Sequence, residues 1–238
     1  MKILAVESSS STASVAVLQD GILLGETSIN NKKTHSQNLM LMLTELMIKL
    51  QLEPKDIDYY AASVGPGSFT GLRIGVSIIK GISFAADKPT VAVPTLDAMA
   101  MGLSNAKSII CPMIDARNNQ VFTAIYKSDG EKLERLTEYL GITIDELLKL
   151  LKDYNSVIFT GDGSLLHYET LKKVKGLGCC FAKPGNNLNR AVDVALVATT
   201  LIHKGEIGDS MSLKPFYLRK SQAERMLELE SGKKSKNV

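Results

Sequence analysis

The chain has 238 residues, 45% hydrophobic and 22% charged, the make-up of a globular protein with room for one large domain or two lobes. A net charge of +3 is too mild for a dedicated nucleic-acid binder, and no uninterrupted apolar run approaches the ~20 residues that cross a bilayer. The three cysteines (Cys111 and the adjacent Cys179 and Cys180) make neither a disulfide framework nor a metal spacing, so a reducing cytoplasm is expected.

In chain order, residues 2–7 read as a buried first strand; polar serines follow too soon for a signal peptide. Strands at 14–19 and 22–28 are joined by Asp20-Gly21, a strong hairpin signal. Thr34 and Gln37 have the spacing of a capping box that opens a helix to about residue 51. A buried strand at 58–64, a helix at 70–86, a strand at 89–94 and a helix at 96–104 complete the first half. The second half repeats the order: strands at 108–115, 120–128 and 132–138, then a helix opened by Thr143 and Glu146 that runs to 153. Then come a strand at 156–160, a helix at 165–174, a strand at 179–182 and an apolar helix at 189–203. Two copies of βββαβα predict a duplicated α/β architecture, with lobes at 1–104 and 105–220 and a polar tail at 221–238.

The stretch SVGPGSFTGLRIG at 63–75 invites a phosphate-loop reading and fails it. Leu72 and Arg73 follow Gly71 where a Walker loop needs Lys-Ser or Lys-Thr, and the glycine spacing misses the dinucleotide fingerprint. The glycines are better explained as structural: Gly65 and Gly67 in a tight turn, Ser68 as helix cap, Gly71 and Gly75 for close helix packing. Arg73, Ser77 and Lys80 fall on the opposite side of that helix, available to solvent or a partner. The turn at Glu7, Ser8 and Ser9 has the shape of a phosphate-binding hairpin, but lacks its aspartate and glycine. None of His35, His167 and His203 is spaced with another as a local zinc motif.

The helix at 36–51 carries two apolar faces. Leu39, Leu43, Leu46, Met47 and Leu50 form the stripe that faces a sheet, while Leu41 and Ile48, flanked by Gln37 and Thr44, lie opposite. Met40, Met42 and Met47 add adaptable contact surface. A helix apolar on both sides predicts a protein–protein interface.

SVGPGSFTGLRIG, together with ILAVESSSSTASVAV, THSQNLM, VPTLDAMA, MIDARNNQVFTAIY, TGDG and PFYLR, resembles the bacterial TsaB family over nearly the whole chain up to Arg219. The resemblance implies a two-lobed actin-like (ASKHA, ribonuclease H-like) fold. It also implies a role in making threonylcarbamoyladenosine next to the anticodon of tRNAs that read codons starting with A. Family members act as the non-catalytic partner of the metal-bearing transferase TsaD, with the ATPase TsaE in the assembled complex and tRNA as the substrate of that complex. The helices beginning HSQNLM and GSFTGLRIG would form the partner surface, with His35, Gln37, Leu41, Thr44, Ile48, Arg73, Ser77 and Lys80 as its candidates. Where the transferase has a second metal-binding histidine, this chain has Leu39. A homodimer through the same surface is expected without TsaD, and ADP or ATP at the interface is the one cofactor expectation, with Glu7, Ser8 and Ser9 as contacts. No membrane partner is expected. The alternative is an ATP-dependent phosphotransferase or hydrolase of the actin and sugar-kinase fold.

Overall fold

A computed structural model describes residues 1–31 and 35–218, apart from the side chains of residues 35–37. The Thr34–Gln37 capping box and the tail at 221–238 therefore lie outside the described residues. The first half comprises β1 (Lys2–Glu7), β2 (Thr12–Gln19), β3 (Ile22–Asn30), α1 (His35–Lys49), β4 (Tyr59–Gly65), α2 (Phe69–Ala86), β5 (Thr90–Pro94) and α3 (Thr95–Met101). Asp20 and Gly21 both take positive φ, the turn that matches strand twist in a two-residue hairpin. The sheet runs β3-β2-β1-β4-β5, with β2 antiparallel to β1 and β4 parallel to it.

The second half comprises β6 (Ser108–Arg117), β7 (Gln120–Thr123), β8 (Tyr126–Ser128), β9 (Leu133–Arg135), β10 (Leu140–Thr143), α4 (Ile144–Leu151), β11 (Ser156–Thr160), α5 (Asp162–Leu166), α6 (Tyr168–Lys172), β12 (Gly178–Phe181) and α7 (Ala191–His203). Its main path, β10-β7-β6-β11-β12, repeats the first sheet position for position. The duplication is thus real, and Thr143 and Glu146 form the expected reciprocal capping box.

Three local expectations change. The strand at 120–128 is two strands, because Ile125 gives its N–H to Thr137 Oγ1 while β7 and β8 pair with different ends of β6. The strand equivalent to β3 is β10, whereas β9 pairs only with β8. The helix at 165–174 breaks at His167, whose φ of −102° and ψ of 15° leave the helical region.

The largest departure concerns which lobe the last helix serves. α7 belongs by order to the second half, yet its Ala191, Val194, Ala195 and Ala198 are buried with Ile3, Ala5 and Ala16 of the first sheet. α3 crosses the other way, burying Leu96 and Ala100 with Ile110 and Tyr126. Each sheet covers one face with a helix from the other half, so a boundary at 104/105 separates the sheets but not the cores. After α7 the chain returns as a strap over the first lobe. Gly208 exchanges hydrogen bonds with Thr90, and Leu213 is buried in the core beneath α1 and α2.

Candidate partner interface and inter-lobe cleft

On α1, Leu39, Met42, Leu43, Leu46 and Met47 are buried against the first sheet and Leu50 is half-buried. Met42 and Met47 therefore serve the core rather than the contact surface they were expected to enrich. The opposite face exposes Leu41 by 57%, Ile48 by 69% and Met40 by 45%. Thr44 lies exposed between them, its hydroxyl turned back to the Met40 carbonyl. An apolar strip of this kind, on a helix whose other face already fills the core, has no packing role among the described residues. The side chains of His35 and Gln37 lie outside the described residues.

α2 packs beside α1 and buries Gly71, Leu72, Gly75, Val76, Ile79 and Ser83. At 18 residues it is the one described helix long and apolar enough to cross a membrane by length and composition. Its inner face is spent on the sheet, and Arg73 and Lys80 interrupt the rest.

The glycines are placed by two other segments of the chain. A Cβ on Gly75 would lie 2.3 Å from Ser8 Oγ, and one on Gly67 would lie 2.5 Å from the Ser9 carbonyl oxygen. The Ser8 hydroxyl donates to the Gly71 carbonyl at 2.9 Å, and Ser68 N–H donates to the Ser9 carbonyl at 2.7 Å. Gly65 has φ +127°, and a Cβ there would meet the Phe216 carbonyl oxygen of the strap at 2.2 Å. Phe216 N–H in turn donates to the Val64 carbonyl at 2.7 Å. Ser68 is the helix cap, accepting from Gly71 N–H at 3.3 Å. The stretch at 63–75 is thus a seat for the β1–β2 turn and for the strap.

The outer side of α2 exposes Arg73 and Ser77, along with 73% of Phe84. Arg73 and Lys80 are engaged by the strap: Lys80 Nζ reaches the Met211 carbonyl at 3.4 Å, and Arg73 Nε donates to Tyr217 Oη at 3.1 Å.

Between the lobes is a cleft of about 630 Å³, with Ser9 and Ser68 on one side, Asp115, Arg117 and Asp162 on the other, and Phe216 and Tyr217 at its edge. Of Glu7, Ser8 and Ser9, only Ser9 lines it. Ser8 is tucked under α2, and the buried Glu7 accepts from the Ser9 N–H at 2.5 Å and from its hydroxyl. Burial pushes the Asp162 carboxyl up, against the N–H groups of Asp115 and Gly163, which donate to it. Among the described residues no group of three His, Cys, Asp or Glu is arranged to hold a metal ion. Leu39, four residues after His35, points into the core.

Two sets of residues escaped the sequence reading. Asp97 on α3 accepts from Tyr126 Oη at 2.6 Å and Tyr139 Oη at 2.9 Å, while Arg135 lies 4.0 Å over the Tyr139 ring. Burial first, and then the Asp97 charge, pushes both phenols up. This buckle ties α3 to the second lobe; its only trace in sequence was the motif VPTLDAMA. The other set is Phe216 and Tyr217, within PFYLR. At the start of α7, Ser14 Oγ and Glu26 Oε1 accept the N–H groups of Ala191 and Val192, and Arg190 pairs with Glu26. Asp193, buried beside them, is pushed up to about 7 by desolvation, with Arg190 opposing and Glu26 and Glu7 adding to the rise.

Residues 23–226 match the family model described as TsaD, tRNA N6-adenosine threonylcarbamoyltransferase. The Bacillus subtilis tRNA threonylcarbamoyladenosine biosynthesis protein TsaB is 29% identical over 225 residues, covering 94% of this chain and 96% of that protein. The chain belongs to the TsaB family. Among solved structures, a Pseudomonas aeruginosa protein described as similar to peptidase YeaZ superposes with a TM-score of 0.78 at 23% identity, covering 92% of this chain and 99% of the other. The inorganic polyphosphate/ATP-glucomannokinase of an Arthrobacter strain gives 0.52 at 11% identity, covering 84% and 98%. These likenesses establish the actin-like, sugar-kinase fold; the family rests on the sequence matches.

Proposed function

We propose that the chain is a non-catalytic subunit in tRNA threonylcarbamoyladenosine biosynthesis, binding the threonylcarbamoyltransferase TsaD through the outer faces of α1 and α2. In this role it supports transfer of the threonylcarbamoyl group from threonylcarbamoyl-AMP to the adenosine beside the anticodon, with the ATPase TsaE in the assembled complex. The observation that carries the reading is the exposed Leu41–Ile48 strip on a helix already buried on its other side. The match to the transferase family adds a geometric reason. A partner of like fold presents an equivalent helix pair, so the two chains can pack about a pseudo-twofold axis. A second copy of this chain offers the same face, so a homodimer is expected when the transferase is absent. All of this chemistry belongs in the cytoplasm, where tRNA is modified.

ADP or ATP, expected at the partner interface, is part of the same proposal, and the inter-lobe cleft lined by the hydroxyls of Ser9, Ser10, Ser11, Ser68 and Thr70 is the space that would take it. Calorimetric titration with no heat at high nucleotide would remove it. The main test is reconstituted tRNA modification with each subunit omitted in turn. Omitting this chain should abolish product, and the chain alone should neither transfer nor hydrolyse ATP. Full modification without it would sink the proposal.

A further inference from the structure

Arg73 stands on the outer side of α2, between the exposed Thr70 and Ser77. The strap controls its conformation. The Tyr217 ring stacks on Phe69 at 4.0 Å with an interplanar angle of 2°, and the Arg73 guanidinium lies 5.3 Å and 6.0 Å from the two ring centres. Nε is committed to Tyr217 Oη, which orients the planar group and, among the described residues, leaves both Nη groups for a further contact. Among the described residues no carboxylate lies within ion-pair distance of Arg73. Lys80, the other cation on this side of α2, already reaches Met211 in the strap. Among the described residues the α1–α2 face therefore offers an oriented guanidinium on α2 with no carboxylate partner, and the exposed Leu41 and Ile48 on the neighbouring α1.

We infer that Tyr217 is a positioning residue for partner binding: it holds Arg73 as the polar anchor of the α1–α2 face, set to donate to a carboxylate on the partner's helix pair. This rests on the proposed docking to the transferase and adds to it the chemistry of the contact. An exposed arginine ordinarily loses side-chain entropy when it pairs; one already hydrogen-bonded to Tyr217 Oη beside the stacked Phe69 and Tyr217 rings has lost part of it before binding. Arginine and tyrosine are among the few residue types on which interface affinity concentrates when partner binding desolvates them. Gly65 belongs to the same arrangement, since only a residue without Cβ lets the strap lie close enough to bring Tyr217 over Phe69.

The test is the affinity of the full chain for the transferase from the same organism, measured at low and high salt for wild type, R73A, Y217F, Y217A and R73A/Y217A. Arg73→Ala should weaken binding about 10-fold or more and flatten its salt dependence. Tyr217→Ala should do nearly the same, and Tyr217→Phe, which keeps the stack but loses the acceptor, should fall between. The double variant should be within about twofold of Arg73→Ala, because Tyr217 acts through Arg73. A merely structural role for Tyr217 would lower affinity without changing the salt dependence, and would overturn the inference. So would an Arg73→Ala protein that binds like wild type. Should Tyr217→Ala fail to fold, Arg73→Ala and Tyr217→Phe decide the matter by themselves. If wild type itself does not bind the transferase, it is the docking proposal that fails.

Discussion

The two lobes build the same sheet and cover it differently. In the first, α1 and α2 have 15 and 18 residues; their counterparts in the second are α4, with 8, and the broken pair α5 and α6, with 5 each. A five-residue strand is about 17 Å long, so two or three helical turns suffice to cover it, and the second lobe stops there. The first lobe's helices run further, and α1 keeps a second apolar face. The first sheet is also buttressed by α7 and the strap, both contributed by the second half of the chain. Only the extra length and the strap lie where a partner would dock, since α7 covers the opposite face of the sheet, as α3 does for the second lobe.

The largest expected effect separates the lobes directly. Leu41→Glu with Ile48→Lys should abolish the complex with the transferase, more than about 100-fold in affinity, while leaving folding nearly intact because both positions are exposed. The same treatment of Leu165 and Leu166, exposed by 59% and 62% on α5, should leave the complex unchanged. Pull-down of the two double variants with the transferase checks this; equal loss in both would remove the distinction between lobes.

The next effect is on pH and α7. Asp193 has a folded pKa of about 7 against 3.8 when free, so folding favours its protonated form. That contribution is complete below about pH 4 and is lost as pH rises through about 7. Wild type should therefore lose a few kcal/mol relative to Asp193→Asn between acidic and mildly alkaline pH. Urea denaturation of both proteins across that range measures it, and hydrogen exchange should place the change in α7 and β1 rather than in the second lobe. Parallel pH profiles would contradict it.

The smallest effect concerns the glycines of α2 and its entry. Gly65→Ala would drive a methyl group into the strap carbonyl at a positive φ and should cost about 2 kcal/mol. A Cβ on Gly81, on the outer helix face, would have nothing within 4 Å, so Gly81→Ala should stabilise by about 0.5–1 kcal/mol. Thermal melts of the two variants should shift in opposite directions.

What could be read from the sequence was whatever the chain states within a turn or two. The duplicated strand order, the Asp20-Gly21 hairpin, the Thr143–Glu146 cap and the inner stripe of α1 are set by periodicity and by side chains reaching neighbouring backbone. The exposed Leu41 and Ile48 were legible for the same reason, because a 3.6-residue repeat assigns a face. Family membership was legible too, since SVGPGSFTGLRIG is specific even where its chemistry is silent. The motif's glycines, however, answer to partners 58 to 151 positions away: Gly67 to Ser9, Gly75 to Ser8, Gly65 to Phe216. No spacing rule names such a partner. The tertiary structure also decided that α7 covers the first lobe, that Asp97 buckles α3 to two tyrosines, and that Tyr217 holds Arg73. These are contacts between elements already complete in themselves. Their choice depends on which faces remain to be buried once the sheets have formed, and that is a property of the assembled fold.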